Sequence, residues 1–223
     1  MPGPRFASDL LQMTHWAALR EEVEMAPIRP ATPADRPAVA NALASAFSED
    51  PLFSWMAGPT APLEKRMRVF FNAFLKMNLR KADHLVFVAD DGSGAGIWQP
   101  IDKWKVPPAD LVRSMPAFVR AFRTRLPAMI GALNAIERAH PTEPHYYLEI
   151  LGTRQDRQSK GVGSAVINAV LERCDEEGVP AYLESSNPRN VPFYARHGFK
   201  ERDEVSCGKG APTCTTMWRE PRG

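Results

Sequence analysis

Apolar and polar positions along this chain follow two periods, and each change of period marks an element. Tyr146, Tyr147, Leu148, Ile150 and Leu151 form a short, almost continuous apolar run, the length of a buried strand. Ala165, Val166, Ile167, Val170 and Leu171 then recur at helical spacing. Gly178-Val179-Pro180 ends that helix, and Ala181-Tyr182-Leu183-Glu184 reads as a second strand. Asn187 is placed as an N-cap with Pro188 at the first helical position, Gly198 closes this short helix, and Phe199 opens another strand.

Upstream, residues 28–31 predict a first strand. Thr32 and Asp35 make a helix-start box, with Asp in place of Glu, ahead of Val39, Leu43 and Phe47. Asp50-Pro51 is expected to break that helix. Residues 63–79 read as a helix with Met67, Phe70, Phe71, Phe74 and Leu75 inward, a stripe better suited to core than to a ligand. Residues 84–89 and 95–99 read as strands joined by the turn Asp90-Asp91-Gly92. Residues 107–139 predict helices punctuated by Pro116 and Pro127. Ser206-Cys207-Gly208 and Gly210-Ala211-Pro212 mark a last turn before a closing strand over residues 213–218.

Composition narrows the class. A chain of 223 residues with 44% hydrophobic content makes one domain, or one with an appendage. Residues 1–24 read as that appendage, helical or disordered, and residues 25–223 as the domain. Residues 1–24 lack the apolar core of a signal peptide. No apolar run approaches the ~20 residues of a membrane span. A net charge of +2 with scattered Lys and Arg gives no reason to expect nucleic acid. Cys174, Cys207 and Cys214 have no metal spacing and leave one over from any pairing, so reduced thiols in the cytoplasm fit best, with no metal expected.

The chemistry-bearing stretch is Gln158-Ser159-Lys160-Gly161-Val162-Gly163-Ser164, between the predicted strand and helix. A strand turning through glycines into a helix N-terminus presents converging N–H groups and the positive end of the helix dipole to an anion. Gly161 and Gly163 carry no Cβ to obstruct a polyphosphate. The spacing is neither G-x-G-x-x-G nor a Walker loop. Taken alone, the two glycines could equally serve close helix–strand packing.

With the segment around Asn187 added, the sequence resembles the GNAT superfamily of acyl-CoA-dependent N-acetyltransferases. Gln158-x-x-Gly161-x-Gly163 is similar to its pyrophosphate loop, and Asn187, Phe193-Tyr194 and Gly198-Phe199 to its last helix. Within the superfamily the likeness is to puromycin N-acetyltransferase and its relatives. It rests on Gly152, residues 158–166, Gly178-Val179-Pro180-Ala181, Leu183-Glu184, Pro188-Arg189-Asn190 and Pro192-Phe193-Tyr194, and more loosely on Ile28-Arg29, Ala31-Thr32 and Asp35. Ser159 stands where the family usually has glycine, and is strained if that position needs a positive φ. The resemblance implies an α/β (α+β) fold: a mixed, mostly antiparallel central sheet flanked by helices, with a helical insertion before the central strand. It implies acetyl-CoA as acyl donor and a primary amine, on a small molecule, as acceptor, attacking directly in a ternary complex. A homodimer is possible. The alternatives are a non-catalytic acyl-CoA-binding or regulatory module on the same fold, and a protein or peptide N-acetyltransferase.

Roles follow from the resemblance and the residue chemistry. Residues 158–164 would hold the pyrophosphate through backbone N–H groups, with Lys160 adding charge or simply solvated. Leu151, Gly152 and Thr153 would offer a strand edge to the pantetheine arm, with an N–H near Leu151 facing the thioester oxygen. Tyr194 is the candidate general acid for the leaving thiolate, and Phe193 is core. Asn187 would bond the pantetheine, or cap its helix. Glu149, placed by period two on the face of Leu151 and Thr153, and Glu184 on the next strand are the candidate bases. Each could instead pair with Arg157 or Arg189, or a water chain could replace both. His145 and His197 are bystanders, the latter at a helix end that favours a cation. Phe47, Phe53, Trp55, Trp98, Trp104 and Tyr146 could line an acceptor pocket or belong to the core.

Overall fold

The computed structural model describes residues 26–59 and 62–223. The N-terminal appendage expected over residues 1–24 lies outside the described residues. The elements run β1 (Ile28–Pro30), α1 (Arg36–Ala46), α2 (Pro51–Ala57), α3 (Leu63–Asn78), β2 (Leu85–Ala89), β3 (Gly94–Gln99), α4 (Pro108–Phe122), α5 (Leu126–Ala139), β4 (Tyr146–Thr153), α6 (Val162–Glu177), β5 (Ala181–Ser185), α7 (Val191–Arg196), β6 (Lys200–Ser206) and β7 (Thr213–Arg219). The strands form one seven-stranded sheet in the order β1-β2-β3-β4-β5-β7-β6. Every neighbouring pair is antiparallel except β4–β5, which is parallel.

Alternation along the strands sends apolar side chains to both faces, and helices cover both. On one face Leu43, Met67, Phe71 and Leu75 of α1 and α3 pack on Val86, Val88, Ala95, Ile97 and Ile150. On the other, Ile167, Val170, Leu171 and Cys174 of α6 pack on Leu85, Trp98, Leu148, Ala181 and Leu183, with Tyr194 of α7. The α3 stripe expected from the sequence, Met67 to Leu75, is buried throughout. Among the described residues no helix is long and apolar enough to cross a membrane.

One proline reading is extended and another needs correcting. Asp50-Pro51 does more than end a helix. Asp50 accepts the Phe53 N–H at 3.0 Å and caps a new one, α2, with Pro51 in its first turn. Pro116 does not punctuate α4, which continues to Phe122. Pro116 and Val112, whose carbonyl loses its partner, both face solvent, so water can satisfy that carbonyl. The break falls at residues 123–125, where Arg123 takes φ 52°. Pro127 does sit in a first turn, that of α5. At the chain's start the Thr32 N–H donates to Asp35 at 2.7 Å, and Asp35 also takes a two-toothed bond from Arg29, at 2.8 Å each.

Two close approaches bring the helices onto the central strands. A Cβ on Gly96 of β3 would lie 2.9 Å from Val166 of α6. A Cβ on Gly152 of β4 would lie 2.8 Å from Leu43, 3.0 Å from Ala46 and 3.2 Å from Phe47, all at the α1 side. Behind α6, buried Arg219 of β7 grips Asp175 with two bonds of 2.7 Å and reaches the His197 carbonyl at 3.0 Å, tying β7 to the ends of α6 and α7. Gly152→Ala is expected to lower stability by about 1–3 kcal/mol through overpacking. Urea titration checks this, and an unchanged midpoint would mean α1 is not held against β4 as described.

Candidate active site

The sheet opens between its two parallel strands. β4 and β5 pair only at Tyr146–Ala181, Tyr147–Tyr182 and Leu148–Leu183. Beyond that, β4 continues along β3 to Thr153 while β5 follows β7 to Ser185. The cause lies in β4: the register against β3 slips between Ile97 and Trp98, which leaves Glu149 as an extra residue. Such a bulge bends the strand that carries it. From Glu149 onward β4 has no β5 partner, so residues 151–153 present a free strand edge.

That edge leads into the glycine loop. Gln158 Nε2 donates to the Thr153 carbonyl at 3.2 Å and folds the loop back on the strand. Ser159 has φ 61° and Gly161 φ 86°, so the strain foreseen at Ser159 is present. Helix α6 starts at Val162, and its first capping bond is Ala165 N–H to the Gly161 carbonyl at 3.0 Å. Among the described residues no partner is found for the backbone N–H groups of residues 159–164. Side chains divide the loop further. Val162 is buried against Ala89 and Val166. Lys160 is exposed. The Ser164 hydroxyl lies 3.1 Å from His197 Nε2. A Cβ on Gly163 would make only ordinary contacts of 3.5 Å with Phe193 and Thr153, so that glycine is not demanded by packing.

Helix α7 approaches from the α6 face. Asn187 caps the turn before it, accepting the Arg189 N–H at 3.1 Å. Tyr194 is buried edge-on between Phe193 and Phe199. Its hydroxyl makes no hydrogen bond among the described residues. Burial, and then the Asp50 carboxylate, push its pKa up, so the phenol keeps its proton at neutral pH. His197 corrects an expectation: burial and the nearby Arg196, Arg222 and Arg219 push its pKa down, and these outweigh the helix end. It sits 3.1 Å from Asn168 Oδ1 and bridges α7 to α6.

The bulge also corrects the face of Glu149. Leu148 and Leu151 both pack toward α6, so the extra residue between them leaves Glu149 on the face opposite Leu151, where it accepts a hydrogen bond from Gln99 Nε2. Gln99 also donates to Asn78 of α3 at 2.8 Å and accepts from Lys81 Nζ at 2.7 Å. Burial raises the Glu149 carboxyl from 4.5 to about 7, with Glu184 adding to the rise and Gln99 and Lys81 opposing it. Glu184 lies on β5 just past the split, with 4% of its side chain exposed and His140 Nδ1 at 3.7 Å. His140 in turn stacks on Trp104 at 3.8 Å and meets Tyr147, Tyr182 and His145 edge-on or tilted. Neither carboxylate pairs with the arginines first considered: Arg157 bonds Asp91 at 3.5 Å.

The aromatic residues do not converge on one pocket. Phe47 and Phe53 belong to the core of α1, α2 and α3. Trp98 and Tyr146 lie in the α6-side core, where the Tyr146 hydroxyl donates to Glu177 at 2.6 Å. Trp55 faces Arg125. Sequence reasoning missed Asn78, Lys81 and Gln99, three polar residues inside apolar patterns whose meeting depends on the α3–β3 packing. It also missed Asp50, whose N-cap position could have marked it, and Ser186.

A divided parallel pair, an unbonded amide row and a protonated phenol thus meet at one opening of the sheet. Residues 96–199 match the acetyltransferase (GNAT) family model. An uncharacterized N-acetyltransferase of Schizosaccharomyces pombe is 37% identical over 60 residues, 27% of this chain and 24% of that protein, so the match spans about a quarter of the relative. The structure of histone acetyltransferase HPA2 and related acetyltransferase from Corynebacterium glutamicum superposes with TM-score 0.67 at 25% identity, over 89% of this chain and 98% of that one. Drosophila melanogaster polyamine N-acetyltransferase shares the fold at TM-score 0.58 and 15% identity, over 86% and 98%.

A carboxyl raised from 4.5 to about 7 in the folded state binds more protons folded than unfolded between those values. Its contribution to stability is complete below the lower value and is lost as pH rises through the window. Glu149→Gln is therefore expected to flatten the fall in stability across that range, measured as urea midpoints against pH. An equally steep fall in the variant would remove Glu149 as its source.

Proposed function

We propose that this chain transfers an acetyl group from acetyl-CoA to a primary amine on a small molecule, within a ternary complex. The observation that carries this reading is the free edge of β4 running into the unbonded amides of residues 159–164. A pantetheine arm is a chain of amides, and it can add to a strand edge as another strand would. A pyrophosphate suits the amides and the helix start beyond it. Leu151, Gly152 and Thr153 supply the edge; Gln158, Ser159, Lys160, Gly161, Val162, Gly163 and Ser164 form the grip. Asn187 sets the turn carrying α7 and can reach the same arm.

The chemistry balances with residues of this chain. Glu149, poised near neutral pH, takes the proton of the acceptor ammonium, and Glu184 is the second candidate for that step. The freed amine attacks the thioester carbonyl, whose oxygen is met by a β4 N–H near Leu151. The C–S bond breaks, and Tyr194 gives its proton to the departing thiolate. The second proton leaving the attacking nitrogen restores the phenol through solvent, so the products are the amide and the free thiol, with one proton held by Glu149 for release to water. The acceptor comes from the α1 face, where Glu149 lies. Buried thiols at Cys174, Cys207 and Cys214 suit a reducing, cytoplasmic setting.

Thiol release from acetyl-CoA with a panel of amines, puromycin included, tests the reading. Acceptor-dependent release supports it, and cofactor binding with no release under any amine favours a binding module. Tyr194→Phe is expected to lower kcat by about 10²–10⁴ with acetyl-CoA affinity retained. An unaltered kcat would end the acid assignment. Gly161→Asp, which sets a side chain and a negative charge at a left-handed position beside the amides, is expected to abolish acetyl-CoA binding by calorimetry. Undiminished binding would mean that the pyrophosphate lies elsewhere.

A further inference from the structure

The turn between α1 and α2 is fastened on both sides of the open end of the split. On the β4 side, Gln155 donates from Nε2 to Ser48 Oγ at 3.1 Å and from its backbone N–H to Ser45 Oγ at 3.5 Å. On the β5 side, Ser186 Oγ donates to Asp50 Oδ2 at 2.5 Å. The other Asp50 oxygen caps α2. Asp50 is 5% exposed, and burying a carboxylate is costly without a cation. The groups facing it are Ser186 beyond β5, the Leu52 and Phe53 amides of α2, Tyr194 of α7 and Cys214 of β7. None of these is a cation. A cap alone is served as well by Ser or Asn, so a charge kept here has a second use.

We propose, on the reading that the split is an acyl-transfer site, that Asp50 is a positioning residue. With Ser186 and Gln155 it clasps the α1–α2 turn across the mouth of the split and fixes the acceptor side of the site relative to Tyr194. The two approach the opening from opposite faces, Asp50 with α2 and Tyr194 with α7. Burial raises the Asp50 pKa, while the bonds from Ser186 and from the Phe53 and Leu52 amides favour its ionised form. When ionised, it favours the proton-bearing form of the Tyr194 phenol needed to meet a thiolate. The clasp and the charge are separable. Asn at position 50 keeps the cap and can still accept from Ser186, but carries no charge. Ala at position 186 leaves the charge and opens the clasp.

The full-length protein carrying Asp50→Asn or Ser186→Ala tests both parts. Thermal melting first establishes that each variant is folded, and Asp50→Ser, which also retains a cap, stands in if Asp50→Asn is not. Asp50→Asn is expected to lose about tenfold in kcat, the weight of one charged contact, with KM for acetyl-CoA unchanged. The basic limb of its kcat–pH profile should move to lower pH, because the phenol gives up its proton more readily. Ser186→Ala should speed hydrogen–deuterium exchange over residues 45–54. Wild-type kcat with an unmoved basic limb in Asp50→Asn, or unchanged exchange in Ser186→Ala, would overturn the proposal. If the wild type acetylates no amine, the acyl-transfer reading fails instead, and the exchange measurement still decides the clasp.

Discussion

Parallel pairing between β4 and β5 ends after Leu148 and Leu183, because the extra residue at Glu149 bends β4 away while β7 keeps β5 in line. Backbone groups left unpaired beside a core cost about 1–3 kcal/mol each when they find no partner. Packing from both faces holds the gap open against that cost. Gly152 lets α1 close on β4 from one side, and Leu151 sits under α6 on the other. A ligand edge that completes the ladder is the natural occupant of such a gap.

The same bulge divides the chemistry between the two faces. On the α6 face lie the amide row of residues 159–164 and Tyr194, which carries a proton. On the α1 face lie Glu149, whose carboxyl burial raises to about 7, and its Gln99–Asn78–Lys81 network. Had β4 kept strict alternation from Leu148, Leu151 would have joined Glu149 on the α1 side instead of packing beneath α6. Arg219 reinforces the arrangement at a distance, since its bonds to Asp175 and to the His197 carbonyl hold α6 and α7 together. The loop and the phenol are thereby fixed relative to each other.

Much of this was legible in the sequence. The strand run from Tyr146, the glycine pair at 161 and 163, and the stretch from Asn187 to Gly198 each carry a local physical signal: a buried run, a helix start and a cap. The strain at Ser159 was also readable, from its departure from glycine. What escaped was non-local. A bulge depends on the partner strand, so period two sent Glu149 to the wrong face. Asn78, Lys81 and Gln99 meet only after α3 folds onto β3. His197 reads as a helix-end cation until burial and three arginines are in place. Pro116 breaks a helix on paper but leaves only a solvent-facing carbonyl unpaired in the fold.

The central claim is that one ligand spans the free edge of β4 and the amides that follow it. A crystal structure of the protein with acetyl-CoA tests it most directly. The account predicts the pantetheine arm laid along residues 151–153 in the gap between β4 and β5, the pyrophosphate on the N–H groups of residues 159–164, and the sulfur facing the Tyr194 hydroxyl. A pyrophosphate bound away from those amides, with the gap left empty, would contradict it.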